Sequence, residues 1–131
     1  MKLLADTHAF LWLVGGDPQL SQAARTHLED ANNEILLSLA SIWEMAIKVS
    51  TGKLTQLTSS KSFDVQVTEL LAKNGISLLP ISFPHAARVA TLPFHHRDPF
   101  DRSLAAQTEL ESLSLISADT IFDEYGIQRI W

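Results

Sequence analysis

MKLLADTHAFLWLVGG, residues 1–16, is the stretch on which the fold turns. Lys2 to Ala5 is a short apolar run, Asp6 stops it, and apolar side chains resume at Phe10 to Leu13 before Gly15 and Gly16. That order predicts a buried strand entering a helix. Asp6 and His8 break the run, and no Ala-x-Ala-like cleavage site follows, so the stretch does not read as a signal peptide. Phe10, Leu11, Trp12 and Leu13 make the helix apolar all round. Full burial or a partner groove would both explain this, and core packing is the expectation.

Further along, short apolar runs keep alternating with longer segments of helical period, the pattern of an α/β domain with a mainly parallel sheet flanked by helices. Strands are expected at Lys2 to Ala5, Ile35 to Leu37, Ile76 to Leu79 and Leu113 to Ile116, with a final edge strand at Ile127 to Ile130. Helices are expected at Ser21 to Asn32, Ala40 to Val49, Phe63 to Asn74, His85 to Ala90, Phe100 to Leu110 and Ile121 to Tyr125. Thr55 to Ser62 is polar and reads as loop, and LPFHHRDP, residues 92–99, as a turn. No linker or repeat interrupts the series, so residues 1–131 are expected to form one domain.

A hydrophobic fraction of 46% is enough for one sizeable core. The chain has no cysteine, which excludes disulfides and thiolate metal sites and is compatible with a cytoplasmic location. No apolar run is long enough to cross a bilayer as a helix. The formal net charge is −5, opposite to the basic footprint of a passive nucleic-acid binder. An acidic cluster that fills with divalent cations is one way for such a chain to hold a phosphodiester.

The acids fall where that chemistry needs them. In open α/β sheets, ligands bind beyond the carboxyl ends of the strands. Asp6 ends the first strand in LLAD, Glu44 lies early in the helix of SLASIWE, Asp119 follows SLIS, and Asp101 opens the helix after LPFHHRDP. Clustered carboxylates repel, and a cation relieves them. Oxygen ligands of this kind suit Mg2+ or Mn2+.

Each acid also has an ordinary explanation, because carboxylates at helix starts cap free N–H groups. Asp98 followed by Pro99 reads as an N-cap, which puts Asp101 at a capping-box position. Ser41 and Glu44 match the same Ser-x-x-Glu box, and Asp119 is placed to cap the segment containing Phe122. Asp6 is the hardest to explain by structure alone, as an acid ending a buried strand needs compensation. Joint placement favours a site over four separate caps.

These residues carry a resemblance to the PIN-domain family, over nearly the whole chain. LLADTHAFLW (3–12) resembles the opening motif of the PIN toxins of VapC-type toxin–antitoxin pairs, SIWEMAIK (41–48) their central acidic helix, HHRDPFDRSLAAQ (95–107) their third motif and LISAD (115–119) their fourth. The resemblance implies a PIN fold, Mg2+- or Mn2+-dependent endoribonuclease activity, a homodimer, and inhibition by a cognate antitoxin. It also implies the acidic quartet Asp6, Glu44, Asp101 and Asp119 as catalytic and metal-binding residues. Asp6, Asp101 and Asp119 are the expected direct ligands, with Glu44 acting through a second metal or a water. Thr51 to Phe63 matches no diagnostic part of the family.

Around the quartet, Thr7, Ser41 and Ser117 are placed to orient ligands or to cap. His95 and His96 are expected in a turn or hydrogen-bonded to substrate rather than on metal; Arg97 and Arg102 flank the same motif and could hold phosphate, but solvated salt bridges are the expectation. Lys48 is spaced to pair with Glu44, and Trp131 to tie down the C-terminus, while Trp43 has no assigned role. Two other classes compete. A phosphate-receiving signalling domain would be expected to carry an adjacent acidic pair before the first helix and a Lys after a late strand, whereas Asp6 stands alone and LISAD is followed by Thr120. A non-catalytic PIN-like scaffold is disfavoured by the intact quartet.

Overall fold

A computed structural model of the chain describes residues 1–57 and 60–131. Strand β1 (Lys2–Ala5) leads into α1 (Thr7–Gly15), then α2 (Gln22–Glu29), β2 (Glu34–Ser38), α3 (Leu39–Ser50) and α4 (Phe63–Lys73). Next come β3 (Ile76–Leu79), α5 (Phe83–Val89), α6 (Pro99–Leu110), β4 (Ser114–Ile116), a 3-10 helix (Thr120–Tyr125) and β5 (Gln128–Ile130). The described strands form one sheet in the order β3-β2-β1-β4-β5, parallel throughout.

The alternation of strand side chains divides the core in two. Leu3 and Ala5 of β1, Ile35 and Leu37 of β2 and Ile116 of β4 pack on one face with Phe10, Leu11, Leu28 and Met45. Leu4, Leu36 and Leu115 face the other way, against Leu104, Ala105 and Phe122. A parallel sheet covered on both faces explains why its strands read as continuous apolar runs. The all-apolar α1 follows the same logic: Phe10 and Leu11 are buried, and Trp12 and Leu13 lean on the same cluster. Trp12 also meets Trp131 at 5.7 Å between ring centroids, which pins the C-terminus as expected.

Several boundaries differ from the sequence expectation, and local hydrogen bonds account for them. Ser21 lies outside α2 as its N-cap, accepting from the Ala24 N–H, and the helix ends at Glu29, followed by an Asp30 side chain that accepts from the Asn32 N–H. Helix α5 starts two residues earlier than expected, because Ser82 and His85 form a reciprocal capping box. Its third helical residue is a histidine rather than the usual Glu or Gln, which hid the motif. Ser38 ends β2 and caps α3 through the Ala40 N–H. The expected Ser41–Glu44 capping box is therefore not formed, since Ser41 already lies inside the helix. Helix α4 closes through Gly75, whose φ of +64° suits glycine. The expected loop from Thr55 to Ser62 holds no helix or strand in its described part, and Thr58 and Ser59 lie outside the described residues.

Candidate active site

Because β1 is central, with β2 on one side and β4 on the other, the carboxyl ends of three strands are neighbours. The chain builds outward through β2 and β3 and then crosses to β4, so β1 and β4 flank the point where strand order reverses. Asp6 leaves β1 at that point and Asp119 follows β4. Glu44 arrives on α3 from β2, and Asp101 on the first turn of α6. The four acids come within reach of one another's charge there. The charges of Glu44 and Asp6 both act on Asp101, and that of Asp119 acts on Asp6.

Asp6 has a structural role that the sequence did not reveal. It is the N-cap of α1, with Oδ1 accepting from the Ala9 N–H at 2.7 Å. Burial nevertheless raises its carboxyl above the usual range, against the lowering pull of hydrogen bonds from Ser117 and Ala9. Asp119 caps the 3-10 helix through Oδ1 and the Ile121 N–H, as its position suggested. Asp98 caps α6, its Oδ1 accepting from the N–H groups of Phe100 and Asp101. Its charge falls on Asp101 in turn. Burial first, and then the charges of Asp98, Glu44 and Asp6, push the Asp101 carboxyl up to about 7, with His96 pulling the other way.

Glu44 is held from both sides. Thr7 Oγ1 donates to Glu44 Oε1 at 2.7 Å and lies 2.9 Å from Ser41 Oγ. Lys48 Nζ lies 3.2 Å from Glu44 Oε2, the pairing that its spacing predicted. Ser117 Oγ accepts from the Asp119 N–H at 3.0 Å, and its hydroxyl lies near enough to Asp6 to pull that carboxyl down. The orienting roles expected of Thr7, Ser41 and Ser117 are thus compatible with contacts the structure contains.

His96 is the residue that sequence reasoning undervalued. Its Nε2 lies 2.8 Å from Asp119 Oδ2 and 3.1 Å from Asp101 Oδ2, bridging two of the four acids. Nδ1 accepts from the Asp98 N–H at 3.2 Å, which places the ring proton on Nε2. In that tautomer His96 donates to the carboxylates. Ligand atoms of His96, Asp101 and Asp119 all lie within 4.8 Å of one another, so the two carboxylates are close enough to share a cation, which His96 would join only by giving up its Nε2 proton. The wider donor set is oxygen-rich and hard, and two of its carboxyls are raised by burial and neighbouring negative charge, so the residues fit a divalent ion such as Mg2+. Nothing in its spacing distinguished His96 from His95, whose ring packs edge-on against Tyr125.

Arg102 corrects the expectation of a solvated salt bridge. It is buried, and its guanidinium donates to the carbonyls of Val89, Leu92, Pro93 and His96. A planar fork with five donors can gather four carbonyls from one loop, which a lysine cannot do.

A parallel sheet, covered by helices on both faces and carrying four converging acids at its switch point, defines an acid-lined domain of the open α/β class. More narrowly, the chain belongs to the PIN-domain family, whose sequence model matches residues 3–128. No curated protein matches the chain in sequence. Among solved structures, VapBC2 from Rickettsia felis, bound to a DNA fragment from their promoter, contains a chain of similar fold. The TM-score is 0.71 at 15% identity, covering 98% of this chain and 97% of that one. FitAcB from Neisseria gonorrhoeae gives 0.61 at 21% identity over 97% and 95% of the two chains. VapBC-1 from nontypeable Haemophilus influenzae gives 0.63 at 16% identity over 98% and 96%. At these identities the likeness establishes the fold.

Proposed function

We propose that this chain is a divalent-metal-dependent endoribonuclease with Asp6, Glu44, Asp101 and Asp119 as its catalytic and metal-binding residues. The observation that carries this reading is the convergence of four carboxylates at the sheet's switch point, with Asp6 raised by burial and the charge of Asp119, and Asp101 by burial and the charges of Asp98, Glu44 and Asp6. Asp6, Asp101 and Asp119 would hold Mg2+, with Mn2+ able to substitute, and Glu44 would complete the site through a second ion or a water. When bound, the metal supplies Lewis-acid stabilisation of phosphate charge and a water of lowered pKa. The chain's residues do the rest. Thr7 and Lys48 fix the Glu44 carboxylate, Ser117 bonds the Asp119 N–H and pulls the Asp6 carboxyl down, and His96 Nε2–H holds Asp101 and Asp119 in register. The chain then needs no nucleophile of its own.

The biological setting we infer is the toxin of a toxin–antitoxin pair, acting in the cytoplasm as a homodimer and restrained by a cognate antitoxin. Support comes from the likeness of four sequence motifs to VapC-type toxins and of the fold to chains of VapBC and FitAB assemblies. Incubation of the purified protein with RNA and Mg2+, beside Asp6→Asn and Asp101→Asn, tests the chemistry. Cleavage should fall by at least about a hundredfold in either variant, since losing even a partner that orients a metal ligand costs about 10–100-fold. Equal cleavage by all three proteins would overturn the assignment. Expression of the gene alone should arrest growth, and co-expression of its neighbour should relieve it.

A further inference from the structure

The turn between α5 and α6 carries a feature that the acidic site does not use. Phe94 is 82% exposed, yet it is not loosely held. Arg102 lies under the ring, with Cζ 4.0 Å from the centroid, and the same guanidinium grips the carbonyls on either side, at Pro93 and at His96. The His96 N–H donates to the Tyr125 hydroxyl at 2.8 Å, and His95 packs on the Tyr125 ring. A large aromatic side chain is therefore clamped with one face on a cation and the other open to water. Arg97 follows in the same turn. It is exposed and, among the described residues, makes no hydrogen bond or ion pair. An unpartnered cation and a presented ring thus sit together in a chain of formal charge −5.

Both residues lie within two positions of His96, whose Nε2 contacts Asp101 and Asp119. Two residues of chain span at most about 7 Å, so the pair borders the acidic site. We propose that Phe94 and Arg97 form a subsite for the single-stranded nucleotide next to the scissile phosphate. The base stacks on the open face of Phe94, and Arg97 takes a backbone phosphate. Stacking on a π-face tolerates any base but requires that it be free of a duplex partner. The subsite therefore selects unpaired RNA rather than a sequence. A protein segment would also cover an exposed ring, but the free guanidinium beside a metal-binding acidic cluster fits a phosphate better.

This inference rests on the ribonuclease reading, and the test separates the two. The probe is a short fluorescein-labelled single-stranded RNA, followed by anisotropy with Ca2+ filling the acidic site, and by cleavage in Mg2+. Phe94→Ala should weaken binding about tenfold, the usual loss for one base stack, while Phe94→Trp should bind at least as well as the parent. Arg97→Ala should weaken binding several-fold and reduce the salt dependence by about 0.7 in the log–log slope, the signature of one lost phosphate contact to a single strand. A 2-aminopurine base in the probe should be quenched by the parent and by Phe94→Trp but not by Phe94→Ala.

If the parent binds and cuts RNA while Phe94→Ala and Arg97→Ala match it in affinity and KM, the subsite is wrong and the ribonuclease reading stands. If the parent neither binds nor cuts, both fall. Unchanged RNA affinity in Phe94→Ala, together with escape from a co-encoded inhibitor, would make the turn a protein contact and overturn the proposal. Because Phe94 and Arg97 are exposed, the variants should keep the parent's unfolding midpoint, and Phe94→Trp retains the packing on Arg102 if Phe94→Ala does not.

Discussion

Asp101 combines a marked electrostatic conflict with a place at the head of a helix. With its pKa raised from the ordinary 3.8 to about 7, the folded, metal-free chain keeps a proton that the unfolded chain releases well below neutrality. Stability without metal therefore falls as pH rises from about 4 to about 7 and levels off above, with Asp6 acting in the same direction. A urea titration series across that range, in chelator, measures it. Asp101→Asn should flatten the fall and gain on the order of 1–2 kcal/mol at pH 8, after discounting the shift for solvent screening. The same carboxyl must lose its proton to bind a cation, so Mg2+ affinity should rise through pH 7 and each binding event should release protons, readable by calorimetry in buffers of different ionisation enthalpy. A pH-independent affinity would show that the raised group is not a ligand.

At the scale of elements, the α5–α6 connection is held by one buried side chain. Arg102 sits on the second turn side of α6 but satisfies carbonyls of α5 and of the turn beyond it, so it couples the end of one helix to the start of the next. Arg102→Ala would leave these acceptors without their donor and should cost about 2–4 kcal/mol, measured by denaturant unfolding. Arg102→Lys should recover only part of that loss, because a point charge cannot span the fork. A stability equal to the parent's would mean that the turn is held mainly by Tyr125. Sequence alone points to a solvated ion pair for this arginine, since it carries no sign of which carbonyls a turn brings back to a helix. Ser38 is similar: its Oγ caps α3 and also meets Gln107 of α6 at 2.5 Å, a pairing 69 residues apart in sequence.

The whole molecule gathers negative charge at one sheet edge, and a cation that binds only the folded state stabilises it. At a Mg2+ concentration a hundredfold above Kd, linkage gives about 2.7 kcal/mol, or roughly 10 °C in unfolding midpoint for a chain of this size. Thermal scans with and without chelator check this, and the increment should vanish in Asp101→Asn. An equal increment in that variant would place the ion elsewhere.

Much of this architecture was legible in the residues themselves. The strand of Lys2 to Ala5, the cap at Asp98 with Pro99, the Glu44–Lys48 pair and the alternation of strands with helices all depend on neighbours within a few positions. Periods of two and 3.6 and helix-start chemistry are local, so sequence states them directly. Placing acids at four helix starts was legible for the same reason, although Asp6, the acid hardest to explain by structure from the sequence, proves to be a cap. Which strands lie side by side is not a local property. Only the order β3-β2-β1-β4-β5 brings the ends of β1, β2 and β4 together, and only then do separate caps become one charged cluster. The bridge from His96 to Asp101 and Asp119, and the clamp of Arg102 on the turn that presents Phe94, likewise exist only after distant segments pack. Charge and hydrogen-bond energies depend on distance in space and on burial, and the tertiary structure alone sets both.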